Sequence, residues 1–269
     1  MNILEKIVLE KRNQVNEEKQ LFPTQLLEKS IHFNSKCVSL KKYLLREDKT
    51  GIIAEIKKKS PAKGILHSNC NVEKLSIGYM QAGASALSVL TDKKFFGGGN
   101  ADLGIARKFN YCPILRKDFV IDEYQIIEAK SIGADAILLI ASILSKEEIE
   151  SFTNLAQQLG MEVILEIHNE NELEKICPDL NVIGVNNRNL ETMTIDVSTS
   201  IQLANKIPKE FTKISESGIE SAETIHILKS HGYQGFLIGS HFMKHPQPQL
   251  ACAEFITEIN KLKTKEYAA

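Results

Sequence analysis

Residues 133–168 read GADAILLIASILSKEEIESFTNLAQQLGMEVILEIH, two apolar runs flanking an amphipathic stretch. Ala136–Ala141 and Val163–Ile167 are short and aliphatic, the pattern of strands covered on both faces. Between them, Ser145–Leu159 places Ile149, Phe152, Leu155, Ala156 and Leu159 at helical spacing on one face. Ser145, Glu147 and Glu148 open this helix, where a hydroxyl cap and acidic side chains meet the positive end of the helix dipole. Gly160 ends it. Strand, helix and strand in this order imply parallel pairing through a right-handed crossover.

The alternation continues in both directions from about residue 50. Further apolar runs lie at Ile52–Ile56, Ala86–Leu90, Pro113–Leu115, Val182–Val185, Phe211–Ile214 and Phe236–Ile238, with helical stretches at Asn71–Ala82, Asp122–Ile132 and Ser221–Lys229. Eight strand candidates in 269 residues suit a closed (β/α)8 TIM barrel, typically ~250 residues long. An open doubly wound sheet is the alternative, but the GxGxxG turn that its dinucleotide-binding form carries after the first strand is absent. Residues 1–50 read as added helices at Ile3–Glu18, Thr24–Ser30 and Leu40–Arg46, with no Gly/Ser linker behind them. The expectation is one domain, with residues 1–50 as an N-terminal helical extension and 51–269 as the barrel.

Composition narrows the class. Charged residues make up 25% of the chain, and 33 basic against 34 acidic side chains leave a formal charge of −1. That balance gives no footing for nucleic acid or a membrane surface. The five cysteines are scattered without CxxC spacing, as free thiols in a reducing compartment would be. Met1–Lys11 is broken by charges and lacks the apolar core of a signal peptide. No HxH or HExxH cluster, P-loop or GxSxG elbow occurs. The reading is a cytoplasmic enzyme with no cofactor and no metal, working as a monomer or at most a weak homodimer on a small phosphorylated molecule.

In a parallel barrel, chemistry sits at the C-terminal strand ends, so the residues that interrupt the apolar runs there are the candidates. The first run continues AEIKKKSP (Ala54–Pro61). Period two puts Glu55, Lys57 and Lys59 on one face, although a solvated charge run fits the lysines alone. The third ends LRKDF (Leu115–Phe119), and the fifth reads LEIH (Leu165–His168). Lys117 and Glu166 are candidates for an acid/base pair, and His168 shares the face of Glu166. The sixth ends GVNNRNL (Gly184–Leu190). Asn186 offers a neutral donor and acceptor there and Arg188 a planar cation for a carboxylate, while turn chemistry also explains the asparagines. Glu216-Ser217-Gly218 follows the seventh run and Gly239-Ser240 the eighth. Paired Gly/Ser turns on the last two strands fit a phosphate held by backbone N–H groups. Phe95–Gly99 reads as a Gly-rich loop, either a lid or an ordinary flexible connection. His241 fits a helix-cap or surface role.

These segments, together with LTDKKFFGG (Leu90–Gly98), GADAILLIA (Gly133–Ala141), SESGI (Ser215–Ile219) and FLIGS (Phe236–Ser240), resemble the indole-3-glycerol-phosphate synthase family in order and content. The resemblance implies a lyase of tryptophan biosynthesis that converts 1-(2-carboxyphenylamino)-1-deoxyribulose 5-phosphate to indole-3-glycerol phosphate, CO2 and water. It implies Lys117 as general acid at the substrate carbonyl and Glu166 as proton-transfer group and stabiliser of an iminium. It implies Lys57 as carboxylate and phosphate holder and a contender for the acid in dehydration, with Glu55 and Asn186 orienting these groups. Ser60, Phe119, Arg188, Glu216 and Ser217 would bind substrate, and Lys57, Ser217, Gly218, Gly239 and Ser240 its phosphate. Which lysine acts at which step stays open. A sugar-phosphate or phosphoribosyl-anthranilate isomerase on the same barrel, or a non-catalytic phosphate-binding barrel, are the alternatives; neither needs Lys117, Glu166 and the Glu55/Lys57 pair together.

Overall fold

A computed structural model of the chain describes residues 2–67, 70–190 and 192–266. Met1 and residues 267–269, the outer limits of the expected extension and barrel, lie outside the described residues. Strands β1 (Ile52–Ile56), β2 (Ala86–Leu90), β3 (Ile114–Lys117), β4 (Ala136–Ile140), β5 (Glu162–Ile167), β6 (Val182–Asn186), β7 (Thr212–Glu216) and β8 (Gly235–Ile238) pair in parallel, each with the next, and β8 returns to β1 to close a barrel. Three strands run beyond the apolar stretches that announce them, β6 by the amide Asn186 and two by a charged end. β3 includes Arg116 and Lys117 rather than stopping at Leu115, and β7 includes Ser215 and Glu216 rather than stopping at Ile214. In both, the last inward side chain is charged and belongs to the site, so the hydrophobic signal fades before the ladder does.

Alternation along each strand builds two cores. Inward residues such as Ile53, Leu115, Leu138, Ile164, Ile214 and Leu237 fill the barrel. Outward residues such as Ala54, Val89, Leu139, Leu165 and Ile183 pack beneath the surrounding helices. Those helices are capped at their starts: Ser145, read as a cap in the sequence, and also Asn71, Asp122 and Ser221 each accept a backbone N–H from the first turn. The crossover from β5 to β6 is instead a 3-10 helix, Glu170–Lys175.

The N-terminal helices close both ends of the barrel. The short helix Leu40–Leu44 inserts Leu40 and Leu44 into the interior cluster at the N-terminal end of the strands. Ser39 and the backbone of Lys41 bind Glu162 at the start of β5. The first helix, α1 (Ile3–Leu21), begins with a capping box between Asn2 and Glu5 and lies over the opposite end. Its Lys11 is buried and pairs with Asp92 at 3.0 Å and Asp118 at 2.8 Å, just beyond β2 and β3. The expected second helix is shorter, Thr24–Leu27, because the chain turns repeatedly after it. Among the described residues no helix is long and apolar enough to cross a membrane.

Removing one partner of a buried ion pair strands the other charge. Lys11→Ala is therefore expected to destabilise the fold by about 3 kcal/mol, read as a lower urea midpoint at unchanged slope.

Candidate active site

The strands that send hydrophobes to the barrel floor send polar groups to its rim two residues later. Ile53 is followed by Glu55, Leu115 by Lys117, Ile164 by Glu166 and Ile214 by Glu216. Neighbouring registers bring these ends level: Asn186 lies opposite Glu216, and Glu166 opposite Gly184. Period two also separates the adjacent cations of β3. Lys117 points in, while Arg116 points out to Glu128 at 2.5 Å and the Gln125 carbonyl at 2.7 Å.

At the centre, Lys117 Nζ lies 2.9 Å from Glu166 Oε2 and 3.0 Å from Glu216 Oε2. Asn186 Nδ2 donates to Glu166 Oε1 at 3.2 Å, and its Oδ1 accepts the Arg188 backbone N–H at 3.0 Å. Lys57 Nζ lies 2.5 Å from Glu55 Oε1. Glu55 Oε1 rests against the backbone of Gly239, where a Cβ would approach it to 2.1 Å; any larger residue there displaces the carboxylate.

Burial and charge pull these groups apart in acidity. For Lys117, burial opposes the ammonium, but Glu166, Glu216 and Glu55 outweigh it and raise its pKa, so the group rests as a cation. Burial also works against the Glu166 carboxylate, yet Lys117 and His168 hold it well below the usual range. Glu216 goes the other way: burial, reinforced by the Glu166 charge, pushes it up to about 7. Two carboxylates sharing one ammonium thus split into a firm anion and a group that exchanges its proton near neutrality.

These residues line a cavity of about 170 Å³. The turns after β7 and β8 line the same cavity. Ser217 and Gly218 both adopt left-handed backbone, φ +69° and +77°, and a Cβ on Gly218 would meet the Ile195 side chain at 2.6 Å. Gly239 and Ser240 lead into the short helix Ser240–Met243. Phe119 and Ser60 also line the cavity, as does Arg188, which additionally donates from Nη1 to the Met193 carbonyl at 3.1 Å. The structure brings together Lys117, Glu166, Lys57, Glu55, Asn186, Ser60, Phe119, Arg188, Glu216, Ser217, Gly218, Gly239 and Ser240.

Lys59 does not join them, contrary to strict alternation from Glu55. β1 ends at Ile56, and Lys59–Ser60 turns into a two-residue antiparallel ladder with Gly64–Ile65. Phe95–Gly99 is folded down rather than open: Asp92 Oδ1 accepts from Phe95 and Phe96, and the Phe96 carbonyl accepts from Lys59. His241 sits in the first turn of Ser240–Met243, with its ring against Phe242 and Phe255 and its Nδ1 buried; it reaches the cavity wall. Among the described residues no group of three or more His, Cys, Asp or Glu is placed to hold a metal ion.

Two features were missed in the sequence. The first turns of α1 supply Ile3, Leu4 and Ile7 to the apolar side of the cavity. Phe96 from the Gly-rich loop packs on Phe119, ring centroids 5.9 Å apart. The first had a readable signal: Ile7, Lys11 and Val15 repeat every four residues and are all buried, so a lysine stands in the apolar stripe of α1 and needs a carboxylate partner.

Solved structures similar to this chain include a tryptophan synthase alpha subunit from Legionella pneumophila, with TM-score 0.60 and 15% identity over 84% of this chain and 98% of that one. Another is 3-hexulose-6-phosphate synthase from Salmonella typhimurium, with TM-score 0.62 and 11% identity over 78% of this chain and 99% of that one. At such identities the likeness is one of fold. Sequence relatives are far nearer. Indole-3-glycerol phosphate synthase of Bacteroides thetaiotaomicron is 44% identical over 96% of this chain and 99% of its own. The protein of the same name from Caldanaerobacter subterraneus is 40% identical over 96% of this chain and 98% of its own. The family model described as indole-3-glycerol phosphate synthase matches residues 4–255, and the chain belongs to that family.

Proposed function

We propose that this barrel closes the pyrrole ring of 1-(2-carboxyphenylamino)-1-deoxyribulose 5-phosphate, releasing CO2 and water to give indole-3-glycerol phosphate. The observation that carries the reading is that the Lys117–Glu166–Glu216 cluster and the two Gly/Ser turns line one cavity. Acid/base groups and an anion cradle share a single volume.

Attack of the aromatic carbon on the ketone carbon puts negative charge on the ketone oxygen and positive charge on the anilino nitrogen. Lys117, held as a cation, is the acid for that oxygen. Glu166 is the fixed anion that stabilises the nitrogen-centred cation. Loss of CO2 restores the aromatic ring; the hydroxyl then leaves as water on a proton for which Lys57 and Lys117 compete, and the Glu166 carboxylate takes the proton that the former C1 carbon gives up as the ring double bond forms. Glu216 completes the charge network and exchanges a proton near neutrality. Asn186 and Glu55 orient Glu166 and Lys57, and Arg188 and Ser60 bind the substrate carboxylate. Phe119 packs on its aromatic ring. Ser217, Gly218, Gly239 and Ser240, with Lys57, hold the phosphate. The extension and the barrel act as one domain, and the enzyme works as a monomer in the cytoplasm, with a weak homodimer as the alternative and no nucleic-acid partner.

The test is to add this substrate to the purified chain, without nucleotide or metal, and follow indole fluorescence. Product is expected; its absence overturns the reaction. The phosphate assignment is tested separately. Ser240→Asp sets a carboxylate against the phosphate, and KM is expected to rise about a hundredfold while kcat changes little.

A further inference from the structure

Glu166 is held from two sides, and the residues on its outer side have no part in the roles above. Its Oε2 meets Lys117. Its Oε1 faces Asn186 Nδ2 and also lies 3.2 Å from His168 Nε2. His168 Nε2 is buried, and its contact with Glu166 Oε1 is one of charge, without full hydrogen-bond geometry. The other ring nitrogen lies 3.3 Å from Glu172 Oε2, and the same oxygen accepts the His168 backbone N–H at 2.7 Å. Asn169 Nδ2 donates to Glu172 Oε1 at 3.2 Å.

The local chain explains the arrangement. β5 ends at Ile167, so His168 emerges on the face of Glu166. Asn169 caps the 3-10 helix, and its first turn carries Glu172 back beneath the ring. A chain leaving a strand as an ordinary surface loop has no cause to bury these side chains, yet that of His168 is 10% exposed and that of Glu172 11%.

We propose that His168 and Glu172 are positioning residues for ring closure: the imidazole, clamped between two carboxylates, holds Glu166 in place and in its anionic form. The proposal rests on the reaction assigned above and explains a difficulty in it. When Lys117 has given its proton to the substrate oxygen and loss of CO2 then discharges the nitrogen cation, Glu166 is left with neither cationic partner. A buried carboxylate without a cation tends to take up a proton. His168 supplies a second cation that the reaction does not consume.

The surroundings agree. Each ring nitrogen faces a carboxylate, which favours the doubly protonated ring. Burial opposes that charge, but Glu166 and Glu172 outweigh it and bring His168 up to about 10. Glu166 itself is faced by Lys117 from β3, Glu216 from β7 and Asn186 from β6, with His168 on the outer side, while Glu55 from β1 acts on Lys117 and Glu216. Behind the ring, Asp196 and Glu172 line a second, polar cavity.

The experiment compares the full-length wild type with His168→Gln, Glu172→Gln and the double variant, in saturation kinetics across the pH profile. His168→Gln is expected to lower kcat about tenfold to a hundredfold with KM within about threefold. The acid limb, where Glu166 gains its proton, moves up by about one pH unit. Glu172→Gln shifts the same limb the same way by less, and the double variant is no worse than His168→Gln alone. A readout independent of turnover is the NMR titration of the ring nitrogens. In the wild type His168 keeps both protons through neutrality, and in Glu166→Gln it loses one at lower pH.

A folded His168→Gln with unchanged kcat and acid limb overturns the proposal, as does a His168 ring already neutral at pH ~7. If His168→Gln does not fold, Glu172→Gln and the titration decide it. A wild type that forms no product overturns the reaction instead, and the titration still decides the clamp.

Discussion

Lys117→Ala is expected to lower kcat by about 10³-fold, within the 10²–10⁴ that a positioned general acid contributes, with KM changed by less than about threefold. The asymmetry follows from position. Lys117 faces Glu166 and Glu216 at the barrel centre, so under the proposed roles its loss removes the proton donor for the transition state and leaves the proposed phosphate turns untouched. The substitution also leaves Glu55, Glu166 and Glu216 without their shared ammonium, and Glu216, already raised by burial and by Glu166, rises further. A carboxyl raised in the folded state binds protons there more readily than in the unfolded chain, so the folded state loses stability as pH climbs above the unfolded value. The variant should therefore be closest to wild-type stability near pH ~4 and fall behind it toward neutrality. Thermal melts across that range check the sign.

Glu166→Gln is the second large effect. Glutamine keeps the shape and removes the charge that, in the proposed mechanism, answers the iminium, so kcat should fall about 10²–10³-fold with substrate affinity nearly kept. A pH signature accompanies it. Glu216 is raised by burial first and by the Glu166 anion second. Removing the anion withdraws only the second influence, so the limb belonging to Glu216 moves to lower pH but not to the ordinary carboxylate value. Because Lys117 and Glu166 act as a unit, the double variant should be far less damaged than the product of the two single losses.

Most of the fold and most of the site were legible in the sequence, for the same reason. A barrel strand buried on both faces reads as an uninterrupted apolar run, so a charge at its end stands out. Glu55 and Glu166 were visible on that ground, Asn186 as the amide that ends its run, and the cap at Ser145 on its hydroxyl. Where the site itself supplies the last strand residues, the signal failed: Lys117 and Glu216 shortened the expected third and seventh strands. Lys59 failed through the opposite assumption, since alternation holds only while the strand lasts and β1 ends at Ile56. The placement of α1 over the barrel mouth depends on Lys11 meeting Asp92 and Asp118 from distant parts of the chain. No local pattern names those partners, although a lysine in an apolar stripe signals that some exist. The clamp on Glu166 was half visible. His168 shares its face by period two, but Glu172 lies in the connection after β5, where no element was read and the chain forms a 3-10 helix.

The account divides the cavity into a proton-transfer wall and a phosphate cradle, and side-by-side saturation curves of Lys117→Ala and Ser240→Asp with the carboxyphenylamino-deoxyribulose phosphate test that division most directly. The predicted result is a loss confined to kcat in the first and to KM in the second; losses of the same parameter in both variants would contradict it.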